Sequence, residues 1–257
     1  MRTYASYGPI ARAGGDTATP LNLAKRLRVI ERYAALRGKR VLDCGCGAGE
    51  YVSSMQAQGA TSWGIEFSKE KLATSHESVS GRLSVGDLQS IAIRSDSIDV
   101  ALLNEVLEHV PNENRALREV HRVLKPGGTL LVFSPNRRYP FETHGARFRW
   151  SGRRMPHYLP LIPYVPLRLS QLAIDFWARN YWPGELRRVV HQAGFTVTHT
   201  DYVWQTFEGI SSHQPRVIGR ISPVLRRVAN LLERLPVLRT LGVSQVIVAT
   251  KAEATAR

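Results

Sequence analysis

The stretch VLDCGCGAGE, Val41 to Glu50, decides the fold. A short aliphatic run leads into a turn holding Gly45, Gly47 and Gly49, and a helical pattern follows at once through Tyr51 to Gln58. Glycines at such a turn permit positive φ and let a small polar ligand lie against bare backbone, at the end of a strand and beside a helix amino terminus. The spacing is GxGxG, with Glu50 where a dinucleotide fingerprint requires its last glycine, which argues against NAD. Asp43, just ahead of the turn, is a poor neighbour for a pyrophosphate and a good one for an amino group.

Outward from this turn, apolar runs alternate with helical patterns. RVLDCG, SWGIEF, RLSVGD, SIDVALL and GTLLVFS read as five strands, with helices over Tyr51–Gln58, Lys69–Glu77 and Asn112–Val123 between them. Lys-Pro-Gly-Gly after Leu124 reads as a helix stop. Past Pro135 the rhythm breaks, and residues 136–182, rich in Pro, Arg and aromatics, read as a substrate cap over the strand ends. Regularity returns with a helix in WPGELRRVVHQAGF, a strand in FTVTHTDYV and a last strand in VSQVIVATK. Between those strands, residues 205–242 form a second insertion whose RVIGRISPVLRRVANLLERL carries apolar and Arg residues at helical spacing. The fold class is therefore α/β, doubly wound, in one domain over residues 1–257.

DCGCGAG resembles the nucleotide-binding motif of class I S-adenosylmethionine-dependent methyltransferases, and further segments fall in that family's order. The resemblance implies a seven-stranded, mostly parallel sheet with an antiparallel final strand, and S-adenosyl-L-methionine as cofactor. Within it, Asp43, Gly45, Cys46, Gly47 and Gly49 form the cradle, and Glu66 in IEFS accepts the ribose hydroxyls. Asp87 in VGDL contacts the adenine amino group, Phe67 and Leu88 adjoin these carboxylates, and Asn104 holds the methionine part. The likeness covers roughly Lys39 to Pro135 well and the last strands weakly.

NEVLEHV, Asn104 to Val110, is the second informative segment. On a helical turn Glu105, Glu108 and His109 stand at i, i+3 and i+4 and share a face, and two carboxylates with an imidazole suit a divalent cation, Mg²⁺ or Zn²⁺. The set resembles that of the ubiquinone-biosynthesis O-methyltransferases and of small-RNA 2′-O-methyltransferases, which implies a further ligand after the fifth strand; His144 in PNRRYPFETHG stands there. A bound cation would lower the pKa of a substrate hydroxyl. The same string also fits His109 as a catalytic base without metal, or as a structural residue.

The acceptor is less legible. A net charge of +14, with 35 basic residues of which 29 are Arg, favours anionic partners, and an arginine habit of the genome accounts for it equally well. A small or lipid-like acceptor methylated on oxygen is the leading reading. An RNA 2′-O-methyltransferase and a cofactor-binding regulatory protein without turnover are the alternatives. The basic, amphipathic stretch before the last strand either meets a membrane surface peripherally or packs on the sheet. Cys44 and Cys46 are too close for an ordinary disulfide, and with no leader pattern and no run of about 18 apolar residues the expected location is the cytoplasm. No motif reports the oligomeric state.

Overall fold

A computed structural model describes residues 20–75, 77–155, 160–207 and 216–253. In chain order these form α1 (Pro20–Tyr33), β1 (Arg40–Cys44), α2 (Glu50–Ala57), β2 (Thr61–Glu66), α3 (Lys69–Leu72), α4 (Glu77–Ser80), β3 (Leu83–Val85) and β4 (Ile98–Asn104). A 3₁₀ turn (Leu107–His109), α5 (Glu113–Val123) and β5 (Leu124–Pro135) follow. Then come β6 (Ala146–Phe148), a 3₁₀ turn (Ile162–Tyr164), α6 (Leu167–Ala173), β7 (Ile174–Phe176), α7 (Pro183–Gln192), β8 (Phe195–Val203), α8 (Arg216–Leu232), a 3₁₀ turn (Leu238–Leu241) and β9 (Ser244–Lys251). The amino-terminal stretch, residues 156–159 of the expected cap and 208–215 of the second insertion lie outside the described residues.

The main sheet has seven strands in the order β3-β2-β1-β4-β5-β9-β8, and β9 runs antiparallel to both neighbours. Strand order reverses between β1 and β4, so the crevice outside their carboxyl ends is the place where a doubly wound sheet takes its ligand. Alternate residues of each central strand serve opposite faces. Leu42, Cys44, Ala101, Leu103, Leu130 and Val132 pack on α5 and α7, while Val41, Val100, Leu102, Leu131 and Phe133 pack on α1 and α2. Burial on both faces explains why these strands are almost continuously apolar in sequence.

Two local expectations are corrected, and a third holds with a difference. The Lys69–Glu77 helix is two short helices, α3 and α4. The helix ending at Lys-Pro-Gly-Gly is present, since α5 stops at Val123, and the motif itself lies inside β5, where Gly127 takes φ +73° and the pairing with β4 shifts register between Ile98 and Val100. NEVLEHV is no α-helical turn, because Glu105 stands at φ +56° and only Leu107–His109 is helical, as a 3₁₀ turn. Helix α1 carried no recognised signal. The region 136–182 holds the separate two-stranded sheet β6-β7 and rejoins the main sheet through an Asn136–Tyr181 bridge.

The glycine turn stands on close contact with β2. Both the Gly45 and Cys46 amides donate to the Ile65 carbonyl, at 2.7 and 3.1 Å. A Cβ on Gly64 would lie 2.4 Å from Cys46 Sγ and 2.6 Å from its Cβ, so the turn reaches β2 only because Gly64 has no side chain. Gly64→Ala is expected to cost about 1–3 kcal/mol in urea unfolding through this overpacking. Adding Cys46→Gly should return part of that loss; equal stability of Gly64→Ala and the parent would show the contact to be slack.

Candidate active site

At the carboxyl end of β1 the glycine turn brings most of the expected cofactor residues together. Gly47 takes φ +57° and a Cβ built there meets nothing within 4 Å, so its open side is available to a ligand. Glu66, buried at the end of β2, accepts from the Gly47 amide (3.0 Å) through Oε2 and from the Ser68 amide (2.9 Å) through Oε1. Each oxygen keeps a lone pair, which suits two ribose hydroxyls. Asp87 lies in the turn after β3, where its Oδ1 accepts from the Gln89 amide (2.8 Å), with Leu88 buried beside it and Phe67 exposed at the rim.

Asp43 is buried, and its Oδ2 has no hydrogen-bond partner among the described residues. Burial, then the nearby charges of Glu66 and Glu50, raise its pKa to about 8. An orphaned carboxyl on the floor of this cradle fits the amino group of a methionine moiety, and burying it without a partner is otherwise costly. Cys44 and Cys46 are free, buried thiols whose pKa burial pushes upward, so they serve as packing rather than as nucleophiles.

Asn104 ends β4, and its Oδ1 accepts from Arg26 Nη1 (2.5 Å). Arg26 escaped the sequence reading. It is a buried guanidinium on α1 that also donates to Glu105 Oε1 (2.9 Å) and Ser244 Oγ (2.7 Å) and lies 5.2 Å from the Phe133 ring centroid. Its signal was a lone Arg sharing a helix face with Val29 and Ile30 at i, i+3 and i+4, all three buried.

Beside this cluster stand Glu108, His109 and His144, whose ligand-type atoms lie within 4.8 Å of one another. The loop after β5 carries His144 across, so that Nε2 is 3.6 Å from Glu108 Oε1 and 3.8 Å from Glu105 Oε2. Glu105, also expected in this set, gives Oε1 to Arg26 and Ser244, leaving Oε2 toward His144. Burial opposes its charge, but Arg26 and then His144 outweigh that and hold its pKa below the usual range. Glu108 is the opposite case: burial, then the Glu105 charge, push it well above the usual range, and neither oxygen finds a donor among the described residues. His109 is lowered to about 3, first by burial and then by His144, while the Trp177 backbone hydrogen-bonds the ring. Its Nδ1 has no hydrogen-bond partner among the described residues. A neutral imidazole with a free nitrogen, oriented by a backbone group, is the form a metal takes, and such a weak base is poorly matched to proton abstraction near neutrality.

Known proteins resemble this chain in sequence and in fold. A methyltransferase domain model matches residues 42–132. The ubiquinone biosynthesis O-methyltransferase of Pseudomonas fluorescens (strain SBW25) is 31% identical over 205 residues, covering 76% of this chain and 80% of that protein. The chain belongs to the class I S-adenosylmethionine-dependent methyltransferases. The protein of the same name from Pseudomonas syringae pv. tomato is 36% identical over 142 residues, half of this chain, and in three such relatives the match spans 60%, 57% and 54% of their length. Among solved structures, an S-adenosylmethionine-dependent methyltransferase from Mesorhizobium loti superposes with a TM-score of 0.59 at 19% identity, over 89% of this chain and 98% of that one, which shows the fold. S-adenosylmethionine is thus the cofactor of this methyltransferase family, and the Asp43 floor and glycine cradle fit it.

Two outcomes follow for cofactor binding. Glu66→Ala removes the acceptor at the cradle, and calorimetry with S-adenosylhomocysteine should show a loss on the order of 1–3 kcal/mol; unchanged affinity would remove Glu66 from the site. Because Asp43 holds its proton up to about pH 8 in the free protein, pairing it with an ammonium releases that proton. Affinity should therefore rise as pH climbs toward 8, with buffer-dependent binding heats at pH 7 that Asp43→Asn abolishes.

Proposed function

We propose that this chain transfers a methyl group to a hydroxyl of a small, lipophilic, ring-bearing acceptor, with Glu108, His109 and His144 holding a divalent cation beside Glu105. The observation that carries the reading is Glu108: a buried carboxyl group whose two oxygens have no donor among the described residues, set against a second carboxylate and two imidazoles. Such a group is costly unless a cation completes it. The Pseudomonas and Neisseria relatives named as ubiquinone biosynthesis O-methyltransferases support an oxygen acceptor.

The cofactor supplies an electrophilic methyl on a sulfonium, and a cation, when bound, supplies a Lewis acid that lowers the pKa of a hydroxyl. The chain's own residues do the rest. Asp43, Glu66 and Asp87 hold the cofactor from the β1–β3 side, and Asn104 with Arg26 closes the methionine end. His109 comes from the turn after β4 and His144 from the loop after β5, with ring centroids 5.6 Å apart, so an acceptor oxygen beside them would lie over the strand ends. Positioning and exclusion of water supply most of the acceleration in such an in-line displacement. The buried free thiols Cys44 and Cys46 are in keeping with a reducing, cytoplasmic setting.

Chelation tests the cation. With phenols bearing alkyl chains as acceptors, a chelator should abolish formation of the thioether product while leaving S-adenosylhomocysteine affinity nearly intact. Mg²⁺ should restore turnover if the carboxylates dominate, and Zn²⁺ if both imidazoles coordinate. His144→Ala should lower kcat by about 10–100-fold. Full activity in chelator together with a silent His144→Ala would leave His109 without a metal partner. Turnover on an oligonucleotide and on none of the phenols would favour the RNA 2′-O-methyl reading, and no turnover on either, with cofactor still bound, the regulatory one.

A further inference from the structure

Helix α8 follows β8 and precedes β9 in the chain and is half packed. Leu225, Ala229 and Leu232 turn toward the body of the protein, with Ala229 fully buried. Glu233 just beyond it pairs with Lys25 (2.7 Å), and Arg226 Nε donates to the Thr206 carbonyl (2.9 Å). The adjoining face is different. Ile221, Val224, Val228 and Leu231, continued by Leu235, follow one another at spacings of 3, 4, 3 and 4 and form an exposed apolar stripe in which Val224 and Leu231 are each 59% exposed; Val237 just beyond is 77% exposed. Arg220, Arg227 and Arg234, seven residues apart, border that stripe on its side away from the core, all exposed and none with a side-chain partner among the described residues.

We propose that this face of α8 is a docking surface for an anionic lipid bilayer, with the stripe seated in the headgroup boundary and the arginine row among the phosphates. An apolar stripe at this spacing is also the form of a helix-pairing seam, so charge must choose the occupant. A second copy of this helix, laid antiparallel, would set the arginine row against its own image. Residues 1–19 bring Arg2 and Arg12 against Asp16 alone, and so offer no complement either. Nucleic acid would satisfy the arginines and leave the stripe in water. An anionic bilayer satisfies both rows at once, as interfacial helices do.

The helix is about 26 Å long, and no helix among the described residues is long and apolar enough to cross a membrane, which leaves α8 lying along the surface. Its place in the fold gives the contact a use. β8 runs parallel to β5, so the segment leaving Val203 toward α8 starts at the carboxyl edge of the sheet, and Ser244, where the chain enters β9, is hydrogen-bonded to Arg26 at the active site. Docking through α8 therefore presents to the bilayer the edge of the sheet at which the methyl is transferred.

Co-sedimentation of the full chain with vesicles tests this without any assumption about the acceptor. Binding should be strong to phosphatidylcholine mixed with phosphatidylglycerol, absent from phosphatidylcholine alone, and weakened by salt. Arg227→Ser and Arg234→Ser should each weaken it about fivefold, and Val224→Ser with Leu231→Ser should abolish it, while S-adenosylhomocysteine affinity in these variants stays that of the parent and so reports an intact fold. Equal binding to neutral and anionic vesicles, or none to either, would overturn the proposal. A Val224→Ser, Leu231→Ser variant that dissociates a dimer and leaves vesicle binding unchanged would assign the face to self-association, and oligonucleotide binding lost in the arginine variants without vesicle binding would assign it to nucleic acid.

Discussion

Negative charge gathered at the ends of the central strands is the constraint around which the molecule is arranged. Asp43, Glu66, Glu105 and Glu108 come from β1, β2 and the turn after β4, and their side chains are largely shielded from water. Carboxylates brought together in a poorly solvated place repel one another and lose hydration, so each must be answered locally or give up its charge. Two are answered by the protein. Backbone amides of Gly47 and Ser68 serve Glu66, and the Arg26 guanidinium with Ser244 serves Glu105. Asp43 and Glu108 are left, and both have raised pKa values. Those are the positions where an ammonium and a metal ion complete the proposed reaction complex.

Arg26 also explains why α1 belongs to the site. One guanidinium joins α1 to the end of β4 and the start of β9, and its neighbour Lys25 reaches Glu233 and the Trp204 carbonyl beside α8. Loss of Arg26 would leave Glu105 buried without its main counter-charge, a larger penalty than the loss of an exposed pair. The segment over the strand ends is held by a second network. Arg179 bridges Glu113 and Glu185, Tyr181 donates to Glu113 (2.7 Å), and the Arg179 amide donates to the Glu108 carbonyl (3.3 Å). On the other side Glu142 accepts from the His144 amide and from Asn180. Both histidines are thus anchored through ion pairs and backbone bonds rather than through apolar packing alone.

The central α/β pattern was legible because its physics is local. Strands buried on both faces must be apolar throughout, and a turn that takes a ligand against its backbone must be glycine, so Val41 to Glu50 announced both the sheet and the cradle. Glu66, Asp87 and Asn104 were readable for a related reason: Glu66 and Asn104 end their strands and Asp87 stands two residues past β3, at the edge of the sheet where a doubly wound fold takes its ligand. Where two structures compete for the same residues, reading failed. Lys-Pro-Gly-Gly does follow the end of α5 at Val123, yet its composition did not show that the same residues form the irregularity between the paired Leu124 and Thr129 inside β5. Glu105, Glu108 and His109 have helical spacing, yet the sharp exit from β4 puts Glu105 at positive φ.

What the sequence by itself determined is the order of the central strands and helices, the cradle and the carboxylates near it. Which of those charges meet was decided only by tertiary structure. Arg26 and Glu105 are far apart in the chain and pair because α1 packs across the sheet; His144 reaches Glu108 because the loop after β5 folds back. The same holds for α8, whose amphipathic sequence allows either face to be buried. Packing of Leu225, Ala229 and Leu232 settles which face goes inward, and so leaves the stripe from Ile221 to Leu235, with its arginines, in water. Short-range steric and hydrophobic preferences are written residue by residue, whereas the neutralisation of buried charge depends on distances that exist only once the chain has folded.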